Sequence, residues 1–218
     1  MKKINTVLMS AVALAVSSNI AMAAAAAPDF IDGLDKSFAV TSNHVFRGLS
    51  VSDEMPAVQG GATYNHASGL SVDFWLSSSS AGSAGSASNE YDITVKYGKK
   101  TKDFSFEAGL VSYSFPQTGG ASEGTHEYFA GIQVNNINAA IFINPDSLLG
   151  DNTYIELSVD IDKFNLALGI NSNDFVPADY NQVTASVALT KQLELAVSQT
   201  DLDFDDTQWA LTYSMPIK

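Results

Sequence analysis

The chain contains no cysteine among its 218 residues, so no disulfide framework staples it. Basic residues are scarce as well. Eleven Lys and Arg face twenty-four Asp and Glu, for a formal net charge of −13 at pH 7. An acidic surface repels phosphate backbones, which excludes nucleic acid as a natural partner. Only six prolines occur, and none interrupts the middle of an alternating run. No apolar stretch approaches the ~20 residues of a membrane-spanning helix. The mean hydropathy is nonetheless +0.04, high for so acidic a chain. Apolar residues must therefore be gathered at particular positions.

The first residues read as a leader. Met1-Lys2-Lys3 is followed by an apolar stretch from Val7 to Val16 and by Ala21-Met22-Ala23, with no acidic residue before Asp29. A basic start, a short apolar segment and a small-x-small site describe a secretory signal peptide over 1–23. Its removal takes away Lys2 and Lys3 and moves the net charge from −13 to −15. Residues 24–36 then form a periplasmic lead-in, and 37–218 form one domain.

Within that domain the apolar period is two, not 3.6. In 70–77, Leu70, Val72, Phe74 and Leu76 share one face, and Ser71, Asp73, Trp75 and Ser77 the other. In 90–97, Tyr91, Ile93, Val95 and Tyr97 oppose Glu90, Asp92, Thr94 and Lys96. Twelve such runs follow one another: 37–48, 57–66, 69–77, 89–98, 104–113, 126–134, 137–144, 153–160, 163–172, 181–190, 192–200 and 208–216. Their connections alternate between long and short. Pro56, Pro116, Pro145 and Pro177 all fall in long ones. The Ser-rich stretch from Ser77 to Asn89 has no apolar face and reads as a mobile loop tip.

An even number of strands with alternating connection lengths is the expected form of an all-β, closed, antiparallel up-and-down barrel in an outer membrane. Hydrocarbon cannot satisfy backbone N–H and C=O groups, so a spanning sheet must close on itself. Aromatics near the ends of the apolar faces, including Phe46, Tyr64, Tyr91, Tyr97, Phe104, Trp209 and Tyr213, fit interface girdles. A soluble two-sheet sandwich also alternates, but it mixes its connection lengths. With the short connections in the periplasm, the basic turn Lys99-Lys100-Thr101-Lys102 lies there, and Asp53-Glu54, Asp201, Asp203 and Asp205-Asp206 lie outside.

The polar faces then line the lumen. They supply Arg47, Asp73, Glu90, Asp92, Lys96, Glu107, Glu127, Glu156, Asp160 and Glu194 as pore-lining candidates. An excess of carboxylates around water attracts cations. The leading expectation is a passive, cation-preferring pore for small solutes and ions, embedded in outer-membrane lipid. The alternative is a non-conducting barrel that adheres through loop aromatics such as Phe115-Pro116-Gln117 and Phe175-Val176-Pro177. Oligomeric state is left open. The His-Glu-x-x-His motif is absent, no catalytic residue is assigned, and no metal or cofactor is expected. Of the three histidines, His44 is placed on the lipid face, and His66 and His126 near strand ends.

The first run is "TSNHVFRGLSVSDEMPAVQGG" from Thr41 to Gly61. Alternation places Phe38, Val40 and Phe46 toward lipid and Ala39, Thr41, Asn43, Val45 and Arg47 toward the lumen, with Arg47 near the outer mouth. This stretch resembles the opening of the TorF porin family, in which Thr-Ser, aromatic-Arg-Gly-Ile/Leu-Ser and Pro-Ala-x-Gln-Gly elements succeed one another. Here they are Thr41, Ser42, Phe46, Arg47, Gly48, Leu49, Ser50, Pro56, Ala57, Gln59 and Gly60, with Ser68-Gly69 closing the hairpin. The resemblance implies an outer-membrane porin and carries no catalytic residues. Barrels of this class often end on an aromatic residue; this chain departs from that and ends Tyr213-Ser214-Met215-Pro216-Ile217-Lys218.

Overall fold

A computed structural model describes residues 33–82, 86–116, 125–144, 152–173, 179–203, 206–215 and 217. The signal peptide, the lead-in up to residue 32, Gln117, Pro145, Asp205 and Phe175-Val176-Pro177 lie outside the described residues.

Among the described residues fourteen strands occur in chain order: β1 Leu34–Thr41, β2 Val45–Phe46, β3 Leu49–Ser50, β4 Ala57–Asn65, β5 Leu70–Gly82, β6 Ser86–Lys100 and β7 Ser105–Ser114, then β8 Thr125–Val134, β9 Ile137–Asn144, β10 Asn152–Ile161, β11 Phe164–Asn173, β12 Tyr180–Ala188, β13 Leu193–Thr200 and β14 Gln208–Ser214. Twelve of them form a closed antiparallel barrel in which each strand pairs with its neighbour in sequence, and β2 and β3 form a separate pair. The ring closes where β1 meets β14, with Val40 opposite Tyr213.

The burial pattern is the reverse of a soluble protein's. Leu168 and Ile170 on β11 are 48% and 55% exposed, and Ile155 on β10 is 45% exposed. Tyr154, Gln182 and Thr212, at the opposite parity, are 0%, 5% and 1% exposed. Water would not tolerate a continuous outer belt of Leu, Ile and Val, whereas acyl chains do. Strands of eight to ten residues, rising ~3.3 Å per residue and tilted ~40°, give an apolar band of about 25 Å.

Connections segregate by end. The short ones are hairpins of the kind a right-handed twist favours: Asn135 and Asp162 sit at φ +56° and +55° in two-residue turns. Charge segregates too. Among the described residues, every Lys and Arg apart from Arg47 and Lys96 lies toward the short-turn rim: Lys36, Lys99, Lys100, Lys102, Lys163 and Lys191. The opposite rim carries Asp53, Glu54, Asp179, Asp201, Asp203 and Asp206. There the Asn181 side-chain amide and backbone N–H each donate to Asp201 at 2.7 Å, and hold its carboxyl below the usual range.

Nine of the twelve barrel strands fall within two residues of the runs read from the sequence. Two departures are corrections. The Ser-rich stretch is not wholly a loop: β5 runs on to Gly82 and β6 starts at Ser86, with Ser80, Ala81 and Gly82 paired to Ser88, Ala87 and Ser86 after a register shift beyond Ser77. Outside the membrane a ladder needs no apolar face, because backbone hydrogen bonds alone extend it. The other departure is that β1 stops at Thr41, not at 48.

The lipid face has a direct test. Leu168→Arg should lower the folding free energy into lipid vesicles by about 2–4 kcal/mol. Ser186→Lys, which points inward toward Glu194, should change it little. Urea titration of both variants checks the pair, and equal tolerance of the two would mean that the outer belt does not meet lipid.

Candidate functional site

Where β1 ends, the chain leaves the wall and enters the barrel. Ser42 still bonds β14, through its N–H to the Leu211 carbonyl at 2.9 Å and its Oγ from the Leu211 N–H at 2.9 Å. Asn43 then turns inward. It donates to Gln208 Oε1 at 3.0 Å, and its Oδ1 accepts from Ser50 Oγ at 2.8 Å. The His44 N–H donates to Ser52 Oγ at 2.9 Å, and the Val51 N–H to the His44 carbonyl at 2.8 Å. These short polar side chains supply the bonds that the departing backbone loses from the sheet.

The inward segment is a hairpin of β2 and β3, in which Phe46 pairs with Leu49. Its two-residue turn is Arg47-Gly48, at φ +48° and +88°. A tight turn with both central residues left-handed calls for glycine at the second. Space demands it as well: a Cβ on Gly48 would lie 2.8 Å from Thr200 Cγ2 and 2.9 Å from Gln182 Oε1. The turn thus abuts the wall formed by β12 and β13.

On the other side Arg47 reaches β8. Its two terminal nitrogens hold Glu127 bidentately at 2.9 and 2.7 Å, and Tyr113 Oη donates to the same carboxylate at 2.9 Å. Tyr180 Oη donates to the Arg47 carbonyl at 3.1 Å. The guanidinium lies over the rings of Tyr154, Phe46 and Phe142 at 4.3, 4.7 and 5.2 Å. Burial alone disfavours its charge. The bidentate Glu127 carboxylate offsets that penalty. A fork-to-fork pair inside an aromatic cage is the arrangement in which a buried guanidinium is stable. The hairpin therefore crosses the lumen from β8 to β12 and β13, pinned at both ends.

This arrangement corrects three expectations. Arg47 is no strand residue at a wet mouth; it is the buried tip of the hairpin. Phe46 does not face lipid; it meets Tyr113 edge-on inside the barrel, with centroids 6.2 Å apart. His44 is not on the lipid face either. It is 1% exposed, 5.5 Å from the Trp75 ring and 3.9 Å from Glu90. Strand alternation does not hold for these residues because they have left the strand.

The other candidates lie on inward-facing positions of the wall. Lys96 pairs with Glu107 at 3.0 Å across β6 and β7. Asp73 accepts from Thr63. Glu90 and Asp92 are buried on β6. Glu156 accepts from Tyr154 Oη at 2.8 Å, and Asp160 from Asn165 at 2.8 Å. Glu194 lies near Ser186 of β12. Sequence reading missed Tyr113, Tyr154, Tyr180 and Gln182, although Tyr154 stands at lumen parity in its run, the available signal. His66 and Ser68 meet at 2.8 Å within an exposed turn, where the Ser68 N–H also closes on the same ring nitrogen; the contact shapes the turn. Phe115 folds back to pack on Val111 and Tyr113.

The clamp has a coupling signature. Arg47→Met leaves the Glu127 carboxylate buried without its partner and should cost about 3–5 kcal/mol. Arg47→Met combined with Glu127→Leu should cost less than Arg47→Met alone, because the stranded charge is gone. A double-mutant cycle on urea unfolding in detergent reads the coupling, and strictly additive costs would contradict the clamp.

Comparison with solved structures bears on the architecture. A KdgM porin superposes with a TM-score of 0.54 at 11% identity, covering 84% of this chain and 99% of that one. A KdgM porin in complex with disordered oligogalacturonate gives 0.50 at 9%, covering 85% and 99%. Outer membrane phospholipase A from Escherichia coli gives 0.50 at 11%, covering 84% and 92%. At these identities the likeness is one of fold, the closed outer-membrane barrel, and it spans porins and an enzyme alike. No curated protein matches the sequence. A family model does, over residues 24–214, and the chain belongs to that family, Gcw_chp, described as bacterial protein of unknown function.

Proposed function

We propose that the chain is a narrow outer-membrane pore through which small solutes and ions diffuse passively, with a preference for cations. The observation that carries this reading is the charge of the interior. Eight carboxylates, Asp73, Glu90, Asp92, Glu107, Glu127, Glu156, Asp160 and Glu194, point inward against two permanent cations, Arg47 and Lys96, each bound to one of those carboxylates. The remaining acids leave the lumen negative, and such a lumen concentrates cations and repels anions. All ten are proposed as pore-lining residues. The fold shared with KdgM porins supports the pore, and the TorF resemblance of Thr41 to Gly60 supports a place among porins within the wider family. The lysine-bearing short turns face the periplasm and the acidic loops face outward. The reading assigns no catalytic step.

The hairpin favours a second reading. A segment pinned across the lumen at both ends also suits a non-conducting barrel that works through its surface loops.

Planar bilayers under a KCl gradient decide between the two. The expected outcome is a small unit conductance whose reversal potential has the sign of K⁺ selectivity. Glu156→Gln with Glu194→Gln should move that potential toward zero. Replacing residues 44–51 by a short Gly-Ser linker should raise the unit conductance. Chloride selectivity would overturn the reading. Absence of current from correctly folded protein would favour the closed barrel.

A further inference from the structure

At the turn from β6 to β7 a cluster of lysines stands directly above a cluster of lipid-facing rings. Lys99, Lys100 and Lys102 fall within four positions, in a chain whose net charge is −13. The turn does not need them for its shape. Thr101 folds it: its N–H and its Oγ1 both donate to the Phe104 carbonyl, at 2.8 and 2.7 Å, and its Oγ1 accepts from the Phe104 N–H at 3.1 Å. No ion pair among the described residues includes any of the three lysines. Asp103 is the one carboxylate of the turn, so its charge is positive on balance.

Below the turn the outward face follows an order fixed by the strand register. Lys99 is opposite Phe106, Tyr97 opposite Ala108, and Val95 opposite Leu110. Phe106 joins the other rings of the corner, with centroids 6.3 Å from Tyr97 and 6.4 Å from Phe104. Val95, Tyr97 and Phe104 are all exposed on the outside of the barrel. Charge, rings and aliphatic side chains thus succeed one another from Lys99 to Val95, a rise of about 13 Å along the strand. A glycerophospholipid presents the same order: phosphate, glycerol esters, acyl chain. Ammonium groups suit the first level, and amphipathic rings suit the second.

From this we infer that the corner binds an anionic glycerophospholipid, with its phosphate among Lys99, Lys100 and Lys102 and its ester level against Tyr97, Phe104 and Phe106. Charge selects the headgroup. A zwitterionic lipid carries its own ammonium, which the lysines repel. Continuity with the outer apolar belt selects lipid over a soluble phosphate, since a soluble anion uses the lysines and leaves the rings without a role. The contact does not depend on conduction. The pore reading enters only by placing the short turns in the periplasm, which makes the ligand a lipid of the inner leaflet.

Native mass spectrometry of the folded barrel in a nonionic detergent reads the affinity for phosphatidylglycerol and for phosphatidylcholine of the same acyl chains. A lysine near an anionic lipid surface is worth about fivefold in binding, and Asp103 offsets one of the three, so phosphatidylglycerol should bind roughly tenfold more tightly or better. Lys99→Gln with Lys100→Gln and Lys102→Gln should bring the two lipids close to parity. Lys36→Gln with Lys191→Gln, elsewhere on the same rim, should leave the preference intact. Phe104→Ala with Phe106→Ala should weaken both lipids alike. Glycerol phosphate should not compete. Heat-modifiable migration on gels confirms that each variant is folded. Equal affinity of the unaltered barrel for the two lipids overturns the site, because the belt is then unselective. Loss of the preference in the Lys36 and Lys191 variant overturns it as well, because the attraction then belongs to the whole rim. Full competition by glycerol phosphate does so too, because the ligand is then a soluble anion.

Discussion

Every backbone N–H and C=O that enters hydrocarbon must find a partner within the protein, and the rest of this structure depends on that constraint. It forces the sheet to close, and closure puts the first strand beside the last. The seam is the shortest junction of the ring. β1 pairs with eight residues of β4 but with only three of β14. Side chains and strand ends extend it. Thr212 Oγ1 bonds Thr41 Oγ1 at 2.9 Å, Ser42 bonds Leu211 through both backbone and Oγ, and the Met215 N–H reaches the Phe38 carbonyl at 2.9 Å. The departure of the chain at Asn43 shortens the seam at one end: residues that would have paired with the start of β14 form the hairpin instead. At the other end β14 stops at Ser214, opposite Ala39, so the first five residues of β1 pair with β4 alone.

Closure also fixes what the interior must be. Lipid takes the apolar parity of each strand, so the lumen inherits the polar one, charges included. A ring of twelve strands is wider than one that side chains alone fill and narrower than an open porin. Both solutions appear, on opposite walls. On the β7 to β10 side, Tyr113, Phe129, Phe142 and Tyr154 pack inward around the Arg47 guanidinium, with Phe129 and Phe142 stacked at 5.6 Å. On the β11 to β14 side the inward residues are alanines, hydroxyls and amides with the single carboxylate Glu194, and space remains.

What could be read from the sequence follows from the same division. The twelve wall strands were legible because lipid and water alternate at every residue, and that writes a period of two directly into the chain. The inward direction of Asp92, Glu107 or Glu156 followed from it. The hairpin was not legible, because alternation tells nothing about the point at which a chain leaves its sheet. Val45, Phe46 and Arg47 continue the pattern of β1 in sequence while standing at right angles to its purpose in space. The partners that draw them inward are remote: Glu127 is 80 residues from Arg47, and Gln208 is 165 from Asn43. The opening motif pointed to Phe46, Arg47, Gly48 and Ser50 as a unit, and the structure supplies its physical content. Phe46 meets Tyr113 edge-on and underlies the guanidinium, Arg47 clamps, Gly48 turns against the far wall, and Ser50 ties down Asn43. The Ser-rich stretch failed for the opposite reason: an apolar face is needed to meet lipid, but not to extend a ladder into water.

On the pore proposed above, the two walls would treat a charge in transit differently. The β5 to β8 wall carries Asp73, Glu90, Asp92, Glu107 and Glu127, with Lys96 and the hairpin's Arg47 each held by one of these acids. It sets the potential but gives little room. The β11 to β14 wall carries one carboxylate, Glu194, among neutral amides, hydroxyls and alanines. On the pore proposed above, a cation drawn by the first wall would travel along the second. That separation would avoid a difficulty of acid-lined channels, in which the groups that attract an ion also hold it. Attraction at a distance falls slowly across a low-dielectric interior, whereas direct coordination requires contact. Placing the acids opposite the open path keeps the first and limits the second. The hairpin enforces the placement, since its aromatic cage fills the space directly in front of β7 to β10.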